Sequence, residues 1–330
     1  MADQLVSLGE IRTAAERIVG VVRRTPLLAE CAVAGNSEMS LRLKCENLQR
    51  GGAFKLRGAY NYVATLPESE RSRGVVTYSS GNHGRAVALA ARLLGVPAVV
   101  VVPVDAPRVK VTAITALGAE VVEEGTTSLQ RKRRAEAIAL ERELAVVPPF
   151  DHPHIIAGQG TVGLEIVEDW PDVERVLVPV GGGGLLAGVA AAVRGLRPEA
   201  EVVGVEPRGA ACMFESLEAG QPVELDSVSS VADGLRPVRP GEVTYAHARS
   251  LVNGVILVND DEILAGLAWC AEEFRLVVEP SGAAAVGAVL AGRVPEPDKR
   301  TVAILSGGNV DPGSWGRWVS EYGRRGAESE

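Results

Sequence analysis

Reactive and aromatic side chains are scarce in this chain: of 330 residues, 4 are cysteine, 4 are histidine and 4% are aromatic. Cys31, Cys45, Cys212 and Cys270 are too scattered for a metal knuckle or a CxxC redox pair. With 46% apolar residues the core needs no disulfide staple, so buried thiols are expected. His152 and His154 lie two apart in a Pro-containing stretch without Cys or carboxylate partners, and read as loop residues instead of metal ligands. No basic surplus exists either, since the net charge is -8. The cluster from Arg131 to Arg134 sits among helix formers and reads as a helix face, and no basic block is interleaved with aromatics, which excludes nucleic acid as a partner. Apolar runs such as Val96 to Val104 fall far short of the roughly 20 residues that a membrane span needs, and the N-terminus lacks a signal-peptide apolar core. A cytoplasmic protein with no membrane partner is the expectation.

Short Val-rich runs are plentiful. They fall near residues 74–80, 98–103, 119–123, 175–180, 201–206, 254–259 and 301–306, with Ala/Leu-rich helical stretches between them. Such alternation builds parallel sheets covered on both faces, so the fold class is expected to be α/β. An opening helix is predicted by Ser7 as N-cap, Glu10 three residues later, and Ile11, Ala15, Ile18 and Val22 on one face, with Pro26 as its stop. Pro148 to Pro153 gives the clearest linker signal, and the polar end from Gly323 to Glu330 is expected to fray.

Four glycine-rich junctions concentrate the chemistry. Gly51-Gly52-Ala53-Phe54-Lys55 sets one lysine in a tight turn where a helical pattern begins, and a lysine there can be a carbonyl-trapping amine. Ser79-Ser80-Gly81-Asn82-His83-Gly84 follows a strand-like run and opens an alanine-rich helix. Gly181-Gly182-Gly183-Gly184-Leu185 follows another, and its backbone amides can close around a phosphate at a helix start. Leu305-Ser306-Gly307-Gly308-Asn309 ends the last strand with a hydroxyl. Parallel sheets bind ligands at such junctions. The glycine run also imitates a dinucleotide fingerprint, which a non-catalytic nucleotide-binding protein could use; but only Glu206 stands where a ribose ligand would be needed.

Taken together, these motifs resemble the pyridoxal-phosphate enzymes of fold type II, the tryptophan-synthase-beta class, and within it the threonine and serine dehydratases and serine racemase. The resemblance runs from Arg24-Thr25-Pro26-Leu27 through Lys44-Cys45-Glu46-Asn47-Leu48-Gln49 to the Ser306 motif. It implies two three-layer α/β domains: a large one from residues 1–72 and 152–330 and an inserted small one from 73–151, with the cofactor between them. It also implies a homodimer acting on a small amino acid. With the chain ending soon after Ser306, the regulatory domain of biosynthetic threonine dehydratases is not expected.

Carried over residue by residue, the resemblance makes Lys55 the Schiff-base lysine and the base for the substrate's α proton. Phe54 packs on the cofactor ring or serves as ordinary core. Asn82 donates to the ring's 3-oxygen or caps a helix. Gly181, Gly182, Gly183, Gly184 and Leu185 hold the phosphate, Gly234 faces the cofactor through its backbone, and Ser306 bonds the pyridine nitrogen. A neutral hydroxyl at that nitrogen favours loss of a β leaving group over transamination. Ser79, Ser80 and His83 supply donors near the substrate carboxylate, and Ser80 occupies the racemase's opposite-face acid position. Arg131 is either a ligand of that carboxylate, as in serine racemase, or a solvated helix arginine. Glu206 matches a racemase metal ligand, but its partner position holds Cys212, so no metal is expected. Phe150, Pro237 and Ala53 replace polar residues of the racemase or the family, and an apolar Phe150 suits a substrate methyl group. The expected reaction is dehydration of L-threonine or L-serine to a 2-oxo acid and ammonia. The alternatives are serine racemisation and dehydration of another 3-hydroxyamino acid such as 3-hydroxyaspartate or phenylserine.

Overall fold

The computed structural model describes residues 5–33, 36–79 and 81–323. Ten strands are found among them: β1 (Leu27–Val33), β2 (Asn36–Lys44), β3 (Val75–Tyr78), β4 (Ala98–Val102), β5 (Glu120–Glu123), β6 (Ala145–Val146), β7 (Arg175–Pro179), β8 (Glu201–Pro207), β9 (Val255–Val258) and β10 (Thr301–Ile304). The helices that come before or between the strands up to β7 are α1 (Leu8–Arg17), α2 (Lys55–Thr65), α3 (Glu68–Arg71), α4 (Asn82–Leu94), α5 (Arg108–Thr115), α6 (Ser128–Arg142) and α7 (Pro153–Asp169). Later come α8 (Gly184–Leu196), α9 (Cys212–Ala219), α10 (Glu242–Leu251), α11 (Asp260–Phe274), α12 (Pro280–Leu290) and α13 (Pro312–Tyr322).

The strands form two sheets, ordered β1-β2-β10-β7-β8-β9 and β5-β4-β3-β6. Only β1 and β2 pair antiparallel; every other pairing is parallel. Parallel register brings the C-terminal ends of β2, β7, β8 and β10 to one edge of the larger sheet, and the end of β3 to the matching edge of the smaller. All-Val runs such as β4 are buried along their whole length, as strands covered on both faces must be. Helix α2 packs on α7 and on α4, and so joins the two sheets just behind Lys55.

Helix α1 has the expected capping box between Ser7 and Glu10, but it ends at Arg17, well before Pro26. Gly20 takes a left-handed φ of 76° and the N–H groups of Val21 and Val22 both turn back to Ile18, so Val22 lies beyond the helix. His152 and His154 are likewise not loop residues: His152 N-caps α7 and His154 stands in its first turn. Cys45, Cys212 and Cys270 are buried, and the side chain of Cys31 lies outside what is described. Residues 324–330, where fraying was expected, also lie outside the described residues.

Candidate active site

Lys55 is the first residue of α2 and half-buried. Its Nζ donates to the Pro149 carbonyl at 2.9 Å and lies 5.1 Å from the centre of the Phe54 ring. Burial, with no compensating anion, pulls its pKa from 10.5 to about 8. Roughly a tenth of the amine is then neutral and nucleophilic at pH 7, against well under a thousandth at the ordinary lysine value. Phe54 donates its N–H to Ser306 O at 3.1 Å, and Ala53 bridges to Gly307, which docks the lysine turn on the end of β10. The Phe54 ring also packs against the core beneath α8.

Between β7 and α8, Gly183 is the N-cap with a φ of 92°, a left-handed angle that glycine adopts without strain. Residues 182–185 are buried, yet among the described residues none of the N–H groups of 181–185 finds a protein acceptor. Buried backbone donors rarely go unpaired. Consecutive orphans at a helix start therefore make a cradle for an anion such as a phosphate. The cradle is packed closely from behind: a Cβ on Gly182 would strike the Phe150 ring, and one on Gly183 would come 2.6 Å from Met213 Cε.

Ser306 is 4% exposed, with its Oγ 3.4 Å from Ser281 O, while Ser281 Oγ accepts from Gly234 N at 2.9 Å. Gly234 O in turn lies against Gly181, where a Cβ would approach it to 2.9 Å. These contacts close a ring that runs from Lys55 through Pro149, Phe150, the glycine cradle, Gly234 and Ser281 to Ser306 and back to Phe54. Asn82 enters from α4: its Nδ2 donates to Glu279 Oε1 at 2.6 Å and its Oδ1 accepts from Asn309 Nδ2 at 2.8 Å. The structure thus brings together Lys55, Phe54, the glycine run, Gly234, Ser306 and Asn82. Glu279, Ser281 and the role of Asn309 were not read from the sequence.

Other candidates are placed differently. Ser79 Oγ accepts from Gly81 N at 3.3 Å, and Ser80 lies outside the described residues. His83 is buried, and burial together with the nearby Lys55 charge pulls its pKa down to about 3, so the ring is neutral. Its Nε2 lies 3.2 Å from Val147 O, an atom that can only accept, so the single ring proton is committed there and Nδ1 has none to give a carboxylate. Arg131 folds back onto the start of its own helix, donating to Thr126 O and Ser128 Oγ at 3.1 and 3.0 Å. Glu206 caps α9, accepting from Met213 N and Phe214 N at 2.9 and 2.8 Å, which occupies both oxygens. Asp151 accepts from the N–H groups of Glu242, Val243 and Thr244 and so caps α10, which fixes the Pro149–Phe150 turn above Lys55.

The model of the family described as pyridoxal-phosphate dependent enzymes matches residues 18–307. The chain belongs to this family. It is 41% identical to an L-threonine ammonia-lyase of Thermotoga maritima over 93% of this chain and 76% of that protein. It is 37% identical to a serine racemase of Schizosaccharomyces pombe, over 97% of this chain and all of that one. The solved structure of maize serine racemase superposes with a TM-score of 0.91 at 36% identity, covering 99% of this chain and 100% of that one. The residues present fit the family's cofactor: a desolvated amine for its aldehyde, orphan amides for its phosphate, and a buried hydroxyl for its ring nitrogen.

Proposed function

We propose that this protein is an ammonia-lyase that dehydrates L-threonine, and L-serine as a second substrate, to 2-oxobutyrate or pyruvate and ammonia. Pyridoxal phosphate, when bound, supplies an electron sink for charge developing at the substrate's α carbon. Lys55 would attach it and take the α proton, residues 181–185 would hold its phosphate, Ser306 would offer its ring nitrogen a neutral hydroxyl, and Asn82 and Phe54 would line its ring. Ser79 and Ser80 are assigned to the substrate carboxylate, and Arg131 would join them only on leaving Thr126 O and Ser128 Oγ. The β hydroxyl would take up a proton and leave as water, balanced by the α proton that Lys55 takes, and the released enamine would tautomerise to an imine that water hydrolyses to the 2-oxo acid and ammonia.

Phe150 carries the choice of substrate. Its ring fills the space beside Gly182 and its Cβ and backbone that beside Gly184, on the turn whose preceding carbonyl holds the Lys55 amine. An apolar wall there favours a substrate methyl group over a second polar contact. Similarity to the Thermotoga ammonia-lyase supports the same reading. The racemase likeness supplies the second reading. An assay across 3-hydroxyamino acids decides: 2-oxo acid is followed by its keto absorbance and D-serine by chiral chromatography in the same samples. L-Threonine is expected to give the highest kcat/KM, and faster formation of D-serine than of either 2-oxo acid overturns the assignment. The same reading divides the chain into a small domain at 73–151 and a large one from the rest, and makes the enzyme a cytoplasmic homodimer, which light scattering tests.

A further inference from the structure

Glu279 is a carboxylate that the proposed reaction leaves without a role. It stands just before α12, 5% exposed, and among the described residues no lysine, arginine or histidine pairs with it at salt-bridge distance. Its N–H donates to Gly307 O at 3.1 Å, and its Oε1 lies so close over Gly307 that a Cβ there would strike it. The glycine after Ser306 leaves the room that this carboxyl group occupies. Its polar partner is the Asn82 amide, at 2.6 Å.

A carboxamide has two ends of nearly equal shape, so packing cannot decide which faces where; only the polarity of its neighbours can. Here that polarity is fixed along a chain of four residues. Arg85 Nη1, which can only donate, bonds Asn309 Oδ1 at 2.6 Å. Asn309 Nδ2 is thereby turned to Gly51 O and Asn82 Oδ1, each at 2.8 Å. Asn82, with its Oδ1 taken by the Asn309 N–H, must then present Nδ2 to Glu279, whose Oε1 accepts. One Asn82 amide proton is spent on Glu279, and the other remains for a ligand.

We infer that Glu279 is a positioning residue that holds the Asn82 carboxamide with its N–H, and not its C=O, toward the cofactor. This rests on the proposed contact between Asn82 and the cofactor's ring oxygen. Reversing the amide would set Asn82 Nδ2 against Asn309 Nδ2, two donors face to face, and Asn309 cannot turn without losing Arg85 and Gly51. Glu279 thus stabilises the useful orientation from one side while Arg85 and Asn309 do so from the other. The charged groups facing Glu279 are Asp233 near Gly234 and Lys110 on α5, themselves paired at 2.9 Å. Burial and Asp233 push its pKa to about 8, so near neutral pH much of it is the neutral acid, whose carbonyl oxygen still accepts from Asn82, and the stronger, charged acceptor forms at alkaline pH.

A double-mutant cycle tests the inference. The affinity of the apo forms of wild type, Asn82→Ala, Glu279→Ala and the double variant for pyridoxal 5'-phosphate is measured by equilibrium titration, together with the absorption spectrum of the bound cofactor. Both single variants are expected to weaken binding roughly ten- to hundredfold, as when a buried polar group loses its partner, and to shift the spectrum alike. The double variant should be no weaker than Asn82→Ala, because Glu279 acts only through Asn82. Glu279→Gln, which keeps a carbonyl acceptor, should recover most of the affinity and covers the case in which Glu279→Ala fails to fold. Losses that multiply in the double variant overturn the inference, as does wild-type affinity in Glu279→Ala with weakened Asn82→Ala. Wild-type affinity and spectrum in Asn82→Ala instead overturn the proposed Asn82 contact, and the inference with it.

Discussion

Lys55 could be singled out in the sequence because its signal is local: two glycines, an aromatic and a helix start within five residues. What the structure adds is the environment that makes it reactive, a single carbonyl contact and no anion, leaving the pKa at about 8. Cofactor capture needs the free amine, so the rate of reconstitution of the apoenzyme with pyridoxal phosphate should rise with pH through about 8 and level off above it. Stopped-flow absorbance checks this; a rate still climbing toward pH 10 would show an unperturbed lysine. Lys55→Ala should give neither turnover nor borohydride-stable attachment. Glu279 and Ser281, by contrast, sit in a stretch that reads as an ordinary Pro-started, alanine-rich helix. Their partners, Asn82 and Gly234, are 197 and 47 residues away, and no spacing rule spans such gaps.

At the scale of elements, buried parallel strands announced themselves as unbroken Val runs, whereas β1, β2 and β6 did not. β2, between β1 and β10, shows period-two alternation with Leu41 and Leu43 fully buried, but only over a few residues. β6 is two residues long and exists through its pairing with β3. The glycines in the motifs proved to have two different causes. In the cradle they leave amides free for a ligand and make room for Phe150; in the Asn82 loop, Gly84 is fixed by the protein alone, because a Cβ there would collide with the carbonyl of Ser79 and approach Val100 Cγ1 to 2.9 Å. A backbone carbonyl cannot swing away as a side chain can. Gly84→Ala should therefore destabilise the apoprotein by about 1–3 kcal/mol, the usual cost of overpacking, with the ligand cradle untouched. Thermal unfolding of the apo form measures it, and an unchanged Tm would show that α4 can shift freely on β3.

Across the whole molecule, what holds the lysine turn in place is a buried ionic cluster that joins β2, α2 and α7. Arg57, fully buried two residues after Lys55, grips Glu46 through Nε and Nη2 at 2.9 and 2.8 Å. It also bonds Glu165 at 2.7 and 2.9 Å, and Glu165 accepts from the buried Lys44 at 2.6 Å. Residues 44, 46, 57 and 165 converge only once the sheet register and the α2–α7 packing exist, so the sequence shows the charges but not their pairing. Removing one partner strands the others, and Arg57→Ala is expected to cost about 3–5 kcal/mol. Burial opposes ionisation of Glu46, yet Arg57 beside it holds its pKa below 4.5. A carboxyl with a depressed folded pKa stabilises above its unfolded value, and that contribution is lost as pH falls through the folded one. In Arg57→Ala burial acts unopposed by the guanidinium and raises the Glu46 pKa, so the folded state takes up a proton that the unfolded chain does not, and acidification from pH 7 toward 5 becomes stabilising. The Tm deficit of Arg57→Ala relative to wild type should therefore shrink over that interval. Arg57→Ala with Glu46→Gln should recover part of the loss and remove the pH slope. Apo unfolding curves of the three proteins between pH 5 and 7 check this, and a deficit that stays constant would place the cost in lost packing instead of in the stranded carboxylate.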